Sequence, residues 1–573
     1  AAYGAVLASA FWFGLHLTLE PPIVGHQMLL GYFSGSIYDE ALAVPSSLVA
    51  YRGMNALWLA AALAGLEVRR AVDRGGAVGW PLVAAVALTV GAAGLWYYRK
   101  PLGVGIDRGY VADQLGGRTT TEHFVIHYPQ TRRFLRQVER LERDHEFRYR
   151  EMRAFFETDP ADGGRLHSFV YPDRDTKARL MGGRSTMVAK LWLGEIHVLW
   201  PRYGHHLLAH ELAHLFTEPF GAGPLSLSIT NGIGVNMGLV EGVATAADRP
   251  PNELTLHEAS AAMRRLEMAP DVVDIVGAGG FWTSASGRAY TVAGSFVRFL
   301  VDRHGIQALK RAYPRGDFRG AYGEPLSALV ESWHASLDSV DLTEAEMDRA
   351  RYLYRESTIF EKTCARSAAE VRRRARLAAA RGEPVEARRL FDRLVAYAPD
   401  NLDYRIEAVD QLLKAGDIDG ARERIEELLS RDLKPGRRAR VIELEGDAAW
   451  RAGQLSRARS SYRQARGIGL PSAMQRRIEA KLRALESGEE IRRLAFEYLL
   501  ARNPATIDVF YPTEWYRREP ESALAAYLVG RRLWSARKWR RAVTFLDAAR
   551  GGLEGTLLAA EVRFDANGEF PPG

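Results

Sequence analysis

The chain has 573 residues and only one cysteine, Cys364. An internal disulfide is therefore excluded, and so is a metal site built from several thiolates. With no ligand partner near it in sequence, Cys364 reads as an inert thiol. It leaves the compartment open, because exported proteins poor in cysteine are common. A surplus of one charge sign is also missing. The formal net charge of +7 is modest for this length. The basic run Arg372-Arg373-Arg374-Ala375-Arg376 reads as a solvated helix face, and no recognition motif accompanies it, so no nucleic-acid partner is expected. Two glycine-rich stretches, Gly182-Gly183-Arg184-Ser185-Thr186 and Gly277-Ala278-Gly279-Gly280, lack the lysine of a phosphate loop and read as ordinary loops.

Long apolar runs are confined to the first hundred residues. Three blocks stand out, at 5–19, 54–68 and 78–98. In the clearest, residues 79–96 carry no charge and aromatic residues stand at both ends, the signature of a membrane span. The alternative is an apolar hairpin inside a globular domain. Arg69, Arg70 and Arg74 lie between the second and third blocks, whereas Glu20, Asp39 and Glu40 precede the second. The positive-inside rule then places the arginine loop in the cytoplasm and whatever follows the third block on the other side. Arg99 and Lys100 pull weakly the other way. The expectation is a membrane anchor of two or three transmembrane helices in residues 1–100, in a bacterial-type inner membrane. The lipid bilayer is thus a partner, and the domain that follows is extracytoplasmic.

The strongest chemical signal is His210-Glu211-Leu212-Ala213-His214, within the apolar run 207–216. On a helix, positions i and i+4 share a face, so both imidazoles can reach one ion. Glu211 lies about 100° around the helix from His210. Its carboxylate therefore falls beside the open coordination position, where a general base is needed, and not on the ion. This is the HExxH arrangement of zinc hydrolases. The alternative is a buried helix with two structural histidines, which would leave polar groups at a cost. Gly and His are missing where a metzincin needs them: Thr217 and Phe220 stand there. The best candidate for a third ligand is Glu241 in Leu239-Val240-Glu241-Gly242-Val243-Ala244, set among apolar neighbours. A solvated helix carboxylate is the competing reading for it. Two His, one Glu and an open position make a catalytic zinc set. His257-Glu258 is a weaker alternative pair, better read as a solvated helix turn.

His210-Glu211-Leu212-Ala213-His214 followed by Glu241-Gly242-Val243-Ala244 resembles the gluzincin metallopeptidases, and most of all the peptidase MA-like domain related to thermolysin and the M1 aminopeptidases. The resemblance covers about residues 118–335. It implies zinc held by His210, His214 and Glu241, with Glu211 as base and proton shuttle. It also implies an α+β fold. Residues 122–128, 166–171 and 194–200 alternate or run apolar like strands. In gluzincins the strand next to the zinc helix is a sheet edge that pairs with extended substrate. The segment 290–300 resembles the helix that supplies a catalytic tyrosine, making Tyr290 the candidate oxyanion donor. Tyr203 and His304 are the alternatives. This chain departs from the family at Val240, where M1 enzymes have Asn, and at Thr245, where thermolysin-like enzymes have a supporting Asp. Asp248 is the one nearby substitute, at a different spacing. A Gly-x-Met-x-Asn segment is missing, which points away from an aminopeptidase and toward an endopeptidase.

From about residue 368 onward the pattern is helical. Gly382 to Ala387, Gly416 to Ala421 and Gly453 to Ala458 share one offset, and the glycines are 34 and 37 residues apart. This period resembles the tetratricopeptide repeat: two antiparallel helices, a glycine at the turn and a small alanine where helices cross. Residues 537–542 resemble a further degenerate copy. The reading is a multi-domain chain: a membrane anchor (1–100), an α+β gluzincin-like peptidase domain (101–345) and an all-α tetratricopeptide-like solenoid (346–573). The implied function is a membrane-anchored zinc metallopeptidase acting on protein or peptide substrates, with the solenoid groove open to a protein partner. The rival is a catalytically silent envelope scaffold that uses the solenoid for assembly. Hydrolysis of a non-peptide amide is a third option.

Overall fold

The computed structural model describes residues 2–27, 31–33, 45–160, 164–200, 206–230, 234–248, 254–277, 280–284, 286–355, 365–399, 401–468, 471–500, 509–535 and 538–549. Its contacts divide the chain into two compact units. One holds 1–150 with 159–200, and the other holds 151–158 with 201–573.

The first unit begins with three helices, Ala2–Leu19, Ser46–Asp73 and Gly79–Tyr97. Among the described residues, Gly79–Tyr97 alone is long and apolar enough to cross a membrane, against the two or three spans expected. Ser46–Asp73 packs against it but is interrupted by Arg52 and Asn55. The apolar helical stretch Leu7–Leu19 is too short. Trp80, Val83, Val86, Val90 and Trp96 all project from Gly79–Tyr97 into the surroundings. A continuous apolar surface of that kind calls for a non-aqueous neighbour.

A five-stranded mixed sheet follows. Its order is Gly116–Thr120, Phe124–Pro129, Leu166–Tyr171, Glu195–Leu199, Val188–Lys190. The three middle strands are parallel and both outer strands antiparallel. The strand that precedes the HExxH helix in sequence is therefore interior. The edge on that side is Val188–Lys190, which corrects the expectation of an edge at 194–200. The correction follows from Gly194, whose left-handed backbone (φ 61°) lets the chain reverse and pair the two strands.

One face of this sheet carries stacked rings. The register aligns His127, Phe169 and His197 across three strands. His127 stacks on Phe169 at 4.6 Å and Phe169 on His197 at 4.8 Å. The Tyr171 hydroxyl lies 3.0 Å from His197 Nδ1. Burial pushes His197 down to about 4, against the pull of Glu195. Lys190, on the edge strand, donates to the carbonyls of Leu17 at 2.7 Å and of Glu20. The Trp192 indole donates to Thr18 O at 2.8 Å. The sheet edge thus caps the carbonyl end of the first helix, where backbone acceptors are otherwise left over.

In the second unit, the helices His206–Phe216, Met237–Asp248, Leu256–Arg265, Ser286–His304 and Leu326–Asp338 gather around Phe296, Val297, Leu300 and Trp333, which are almost wholly buried. Capping boxes start Leu256–Arg265 (Thr255 with Glu258) and Glu344–Leu353 (Thr343 with Glu346). The helix Glu344–Leu353 packs on both Leu256–Arg265 and Pro435–Arg451, so the expected boundary at 345/346 falls inside an element.

Beyond it runs an array of antiparallel helical pairs: Ala365–Arg381 with Pro384–Tyr397, Leu402–Ala415 with Ile418–Leu429, Pro435–Arg451 with Leu455–Arg466, and Ser472–Glu486 with Glu489–Leu499. Gly382, Gly416 and Gly453 sit at the turns of the first three pairs with φ of 75°, 94° and 74°, a conformation glycine takes without penalty. Ala387, Ala421 and Ala458 are fully buried at the crossings. Ala523–Ser535 and Trp539–Ala548 form a later pair around Ala542, while Arg537 lies outside the described residues.

Ion pairs tie the first helices of successive pairs together. Arg437 donates to Asp403 (3.0 Å), Arg477 to Glu443 (2.6 Å), and Lys481 to Glu443 (2.7 Å) and Asp447 (2.6 Å). Burial alone would raise the Glu443 carboxyl. Arg440, Lys481 and Arg477 overcome it and hold the group well below its ordinary range.

Two predictions follow from these buried charges. Lys481→Met takes the cation from buried Asp447, while Glu443 keeps Arg440 and Arg477, and lowers stability by about 3 kcal/mol, read from denaturant unfolding of the full chain. In the sheet, the neutral form of His197 is the folded form. Protons therefore favour the unfolded chain as pH falls from about 6.5 toward about 4. Unfolding midpoints drop across that window, and His197→Gln flattens the drop.

Candidate metal centre

The HExxH helix His206–Phe216 is buried by Leu208, Leu212, Leu215 and Phe216. It ends where Thr217 turns back: its hydroxyl donates to His214 O at 2.8 Å and receives the Tyr313 hydroxyl at 3.3 Å. Burial pushes the Tyr313 phenol far above its ordinary range, so it stays a donor. Met237–Asp248 lies alongside. Asn236 starts this second helix by accepting from Leu239 N (3.1 Å) and donating to Val276 O (2.7 Å).

Met237–Asp248 is held close to Ser286–His304 by small residues. A Cβ on Gly294 would come within 2.6 Å of Thr245, and one on Gly242 within 3.1 Å of Ala293. The glycine after Glu241 and the threonine four residues on are thus explained by packing. They set how far Glu241 stands from the HExxH helix.

Three sequence-predicted residues meet there. Glu241 Oε2 is 3.2 Å from His210 Nε2 and 3.5 Å from His214 Nε2. One ligand atom from each of the three lies within 4.8 Å of the others. Spokes of about 2.0–2.1 Å give a tetrahedron with edges of roughly 3.3–3.4 Å. The donor set of two imidazoles and a carboxylate, at these spacings, fits a zinc ion with one position open. Glu211 is buried (6% exposed) on the next step of the same helix.

The supporting acid is Asp248. Its Oδ2 is 3.0 Å from His210 Nδ1. That contact aims the Nδ1 proton at Asp248 and turns Nε2 toward Glu241, the carboxylate–histidine arrangement that orients ligands at zinc sites. Asp248 Oδ1 and Thr245 Oγ1 are buried without a hydrogen-bond partner among the described residues. Burial works against charge on His210, but Asp248 and Glu241 outweigh it and hold the imidazole well above its ordinary range. Burial likewise opposes charge on Glu241, and the two imidazoles hold its carboxyl far below the usual range.

Tyr290 is half-buried on Ser286–His304, its ring centroid 6.1 Å from that of His210 and 5.1 Å from that of Phe281. His304 instead meets the Tyr322 ring at 5.2 Å. Tyr203 lies outside the described residues. The pair His257-Glu258 is split: His257 lies 2.9 Å from Ser295 Oγ and Glu258 closes the Thr255 capping box. A second grouping, Glu122, His123 and Glu146, was not singled out from the sequence. Glu146 accepts from His123 N (3.0 Å) and faces its ring (2.8 Å), so it serves the turn ahead of Phe124–Pro129.

Comparison with known proteins speaks to the solenoid alone. The tetratricopeptide repeat family matches residues 378–443. No curated protein and no solved structure matches the chain. The matched stretch runs from the end of Ala365–Arg381 into Pro435–Arg451. This part of the chain carries tetratricopeptide repeats, a fold that generally mediates protein–protein contact.

Asp248→Asn should weaken zinc affinity about 10–100-fold with helix content unchanged. Competition against a colorimetric chelator measures it, and an unchanged affinity would remove Asp248 from the site.

Proposed function

We propose that this protein is a membrane-anchored zinc metallopeptidase of gluzincin type, acting as an endopeptidase on protein or peptide substrates at the extracytoplasmic face. The observation that carries the reading is the convergence of His210, His214 and Glu241, with Asp248 behind His210. Zinc there would supply Lewis acidity and lower the pKa of water to about 7. His210 and His214 would ligate through Nε2, the ion taking the place of the proton that Asp248 and Glu241 favour on His210, and Glu241 would contribute the anionic ligand.

Glu211 acts as general base, taking a proton from the attacking water and delivering it to the leaving amine. Its burial shields it from competing solvent. Tyr290 donates its phenolic proton toward the developing oxyanion, with Phe281 bracing the ring. The apolar helix Gly79–Tyr97 is the membrane anchor. The arginine-bearing turn after Ser46–Asp73 lies on the cytoplasmic side by the charge rule. The repeats supply a groove for a protein partner or a substrate segment.

The scaffold reading draws support from the repeat match at 378–443. It gives Glu211 and Asp248 no role, whereas the hydrolytic reading uses both. Glu211→Gln separates the two. It should retain about one zinc per chain by elemental analysis and lose at least about 100-fold in turnover of a peptide library. Equal cleavage by the variant, or no zinc and no cleavage in the parent protein, rejects the mechanism.

A further inference from the structure

Away from the metal ligands, a cavity of about 250 Å³ opens within the second unit. Its walls are the end of Leu256–Arg265, the start of Ser286–His304, the helix Glu344–Leu353 and the first turn of Pro435–Arg451. The lining is of two kinds. Leu266, Met268 and Tyr352 give it an apolar floor, and Arg288, Arg351, Arg355, Lys434 and Arg437 bring five cations.

The compensation of these cations is incomplete. Arg351 pairs with Asp348. Arg355 and Arg437 share one carboxylate, each 3.0 Å from Asp403. No carboxylate among the described residues pairs with Lys434. Arg288 donates to Tyr354 O at 2.8 Å, and the other four cations meet only two carboxylates among the described residues, Asp348 and Asp403, so the wall carries a positive surplus. The three paired arginines are only partly solvated, with side chains between 22% and 29% exposed. Like charges held together in a partly desolvated space repel one another unless an anion joins them.

The backbone adds to this. Gly436 lines the cavity at the start of the 17-residue helix Pro435–Arg451, whose first turn has no side-chain cap. The N-terminal end of a helix favours negative charge. Any side chain at 436 would strike Tyr352, since its Cβ would lie 2.7 Å from that ring. The glycine keeps this end of the helix seated against the cavity wall.

We propose that this cavity binds a small oxyanion with a compact apolar body, of which a phosphate monoester is the type. Its two negative charges answer the positive surplus of this wall. Arginine forks suit planar or tetrahedral oxyanions, and the floor of Leu266, Met268 and Tyr352 accepts the apolar part. The volume admits a group the size of one aromatic ring with its phosphate and excludes a folded partner. Nothing in this inference depends on zinc or on peptide hydrolysis.

Isothermal titration calorimetry on the full chain in detergent micelles tests it with three probes. Phenyl phosphate has both charge and body, inorganic phosphate lacks the body, and benzoate lacks the second charge. The expected result is one phenyl phosphate per chain, bound at least about tenfold tighter than either other probe. Lys434→Gln should weaken it about fivefold or more, and Lys434→Arg should retain it. Lys434 is exposed, so neither variant threatens folding. A phosphate held on zinc would ignore Lys434. No binding, equal binding of all three probes, or indifference to Lys434→Gln overturns the proposal.

Discussion

The candidate centre rests on the crossing of Met237–Asp248 and Ser286–His304. Gly294 receives Thr245, and Gly242 sits on Ala293. Close approach of two helix backbones is possible only where side chains are nearly absent, and packed interiors yield little to an added methylene. The Glu241 carboxylate is carried on one of these helices and Tyr290 on the other. Glu241, between the two imidazoles, and Asp248, two helical turns beyond it at the far nitrogen of His210, ride on the same tightly packed helix.

Buried charge recurs through the chain, and each time a different device compensates it. At the centre, two imidazoles and two carboxylates balance one another until a cation enters. In the repeats, Glu443 and Asp447 are answered by Arg440 on their own helix and by Arg477 and Lys481 on the first helix of the next pair, which fixes the stacking register of successive pairs. On the sheet, Glu195 is fully buried and answered by Arg108. Isolated buried charges are costly, and breaking a buried pair costs more than its formation gains. These networks therefore specify an arrangement more than they add stability. The cavity at Lys434 differs in kind, since its balance is left open.

Much of this was legible in the residues, for local reasons. The HExxH spacing needs only helical periodicity to bring His210 and His214 to one face. Leu166–Tyr171 and Glu195–Leu199 run apolar because both faces of a central parallel strand are covered. The glycine-to-alanine offset recurs because turn and crossing recur. What was not legible depended on pairing across the chain. Asp248 was set aside because its spacing from Glu241 matched no familiar pattern, yet seven residues return to the same helical face. The strand Val188–Lys190 is too short to stand out. It took the sheet edge because Gly194 reverses the chain. Of the two or three spans expected, one helix among the described residues, Gly79–Tyr97, is long and apolar enough to cross a membrane.

The first helix ends in hydrogen bonds from Lys190 and Trp192, side chains of the edge-strand segment. A joint of that kind behaves as a welded strut and not as a swivel. A tilt of Ala2–Leu19 would be felt at the sheet edge through these bonds.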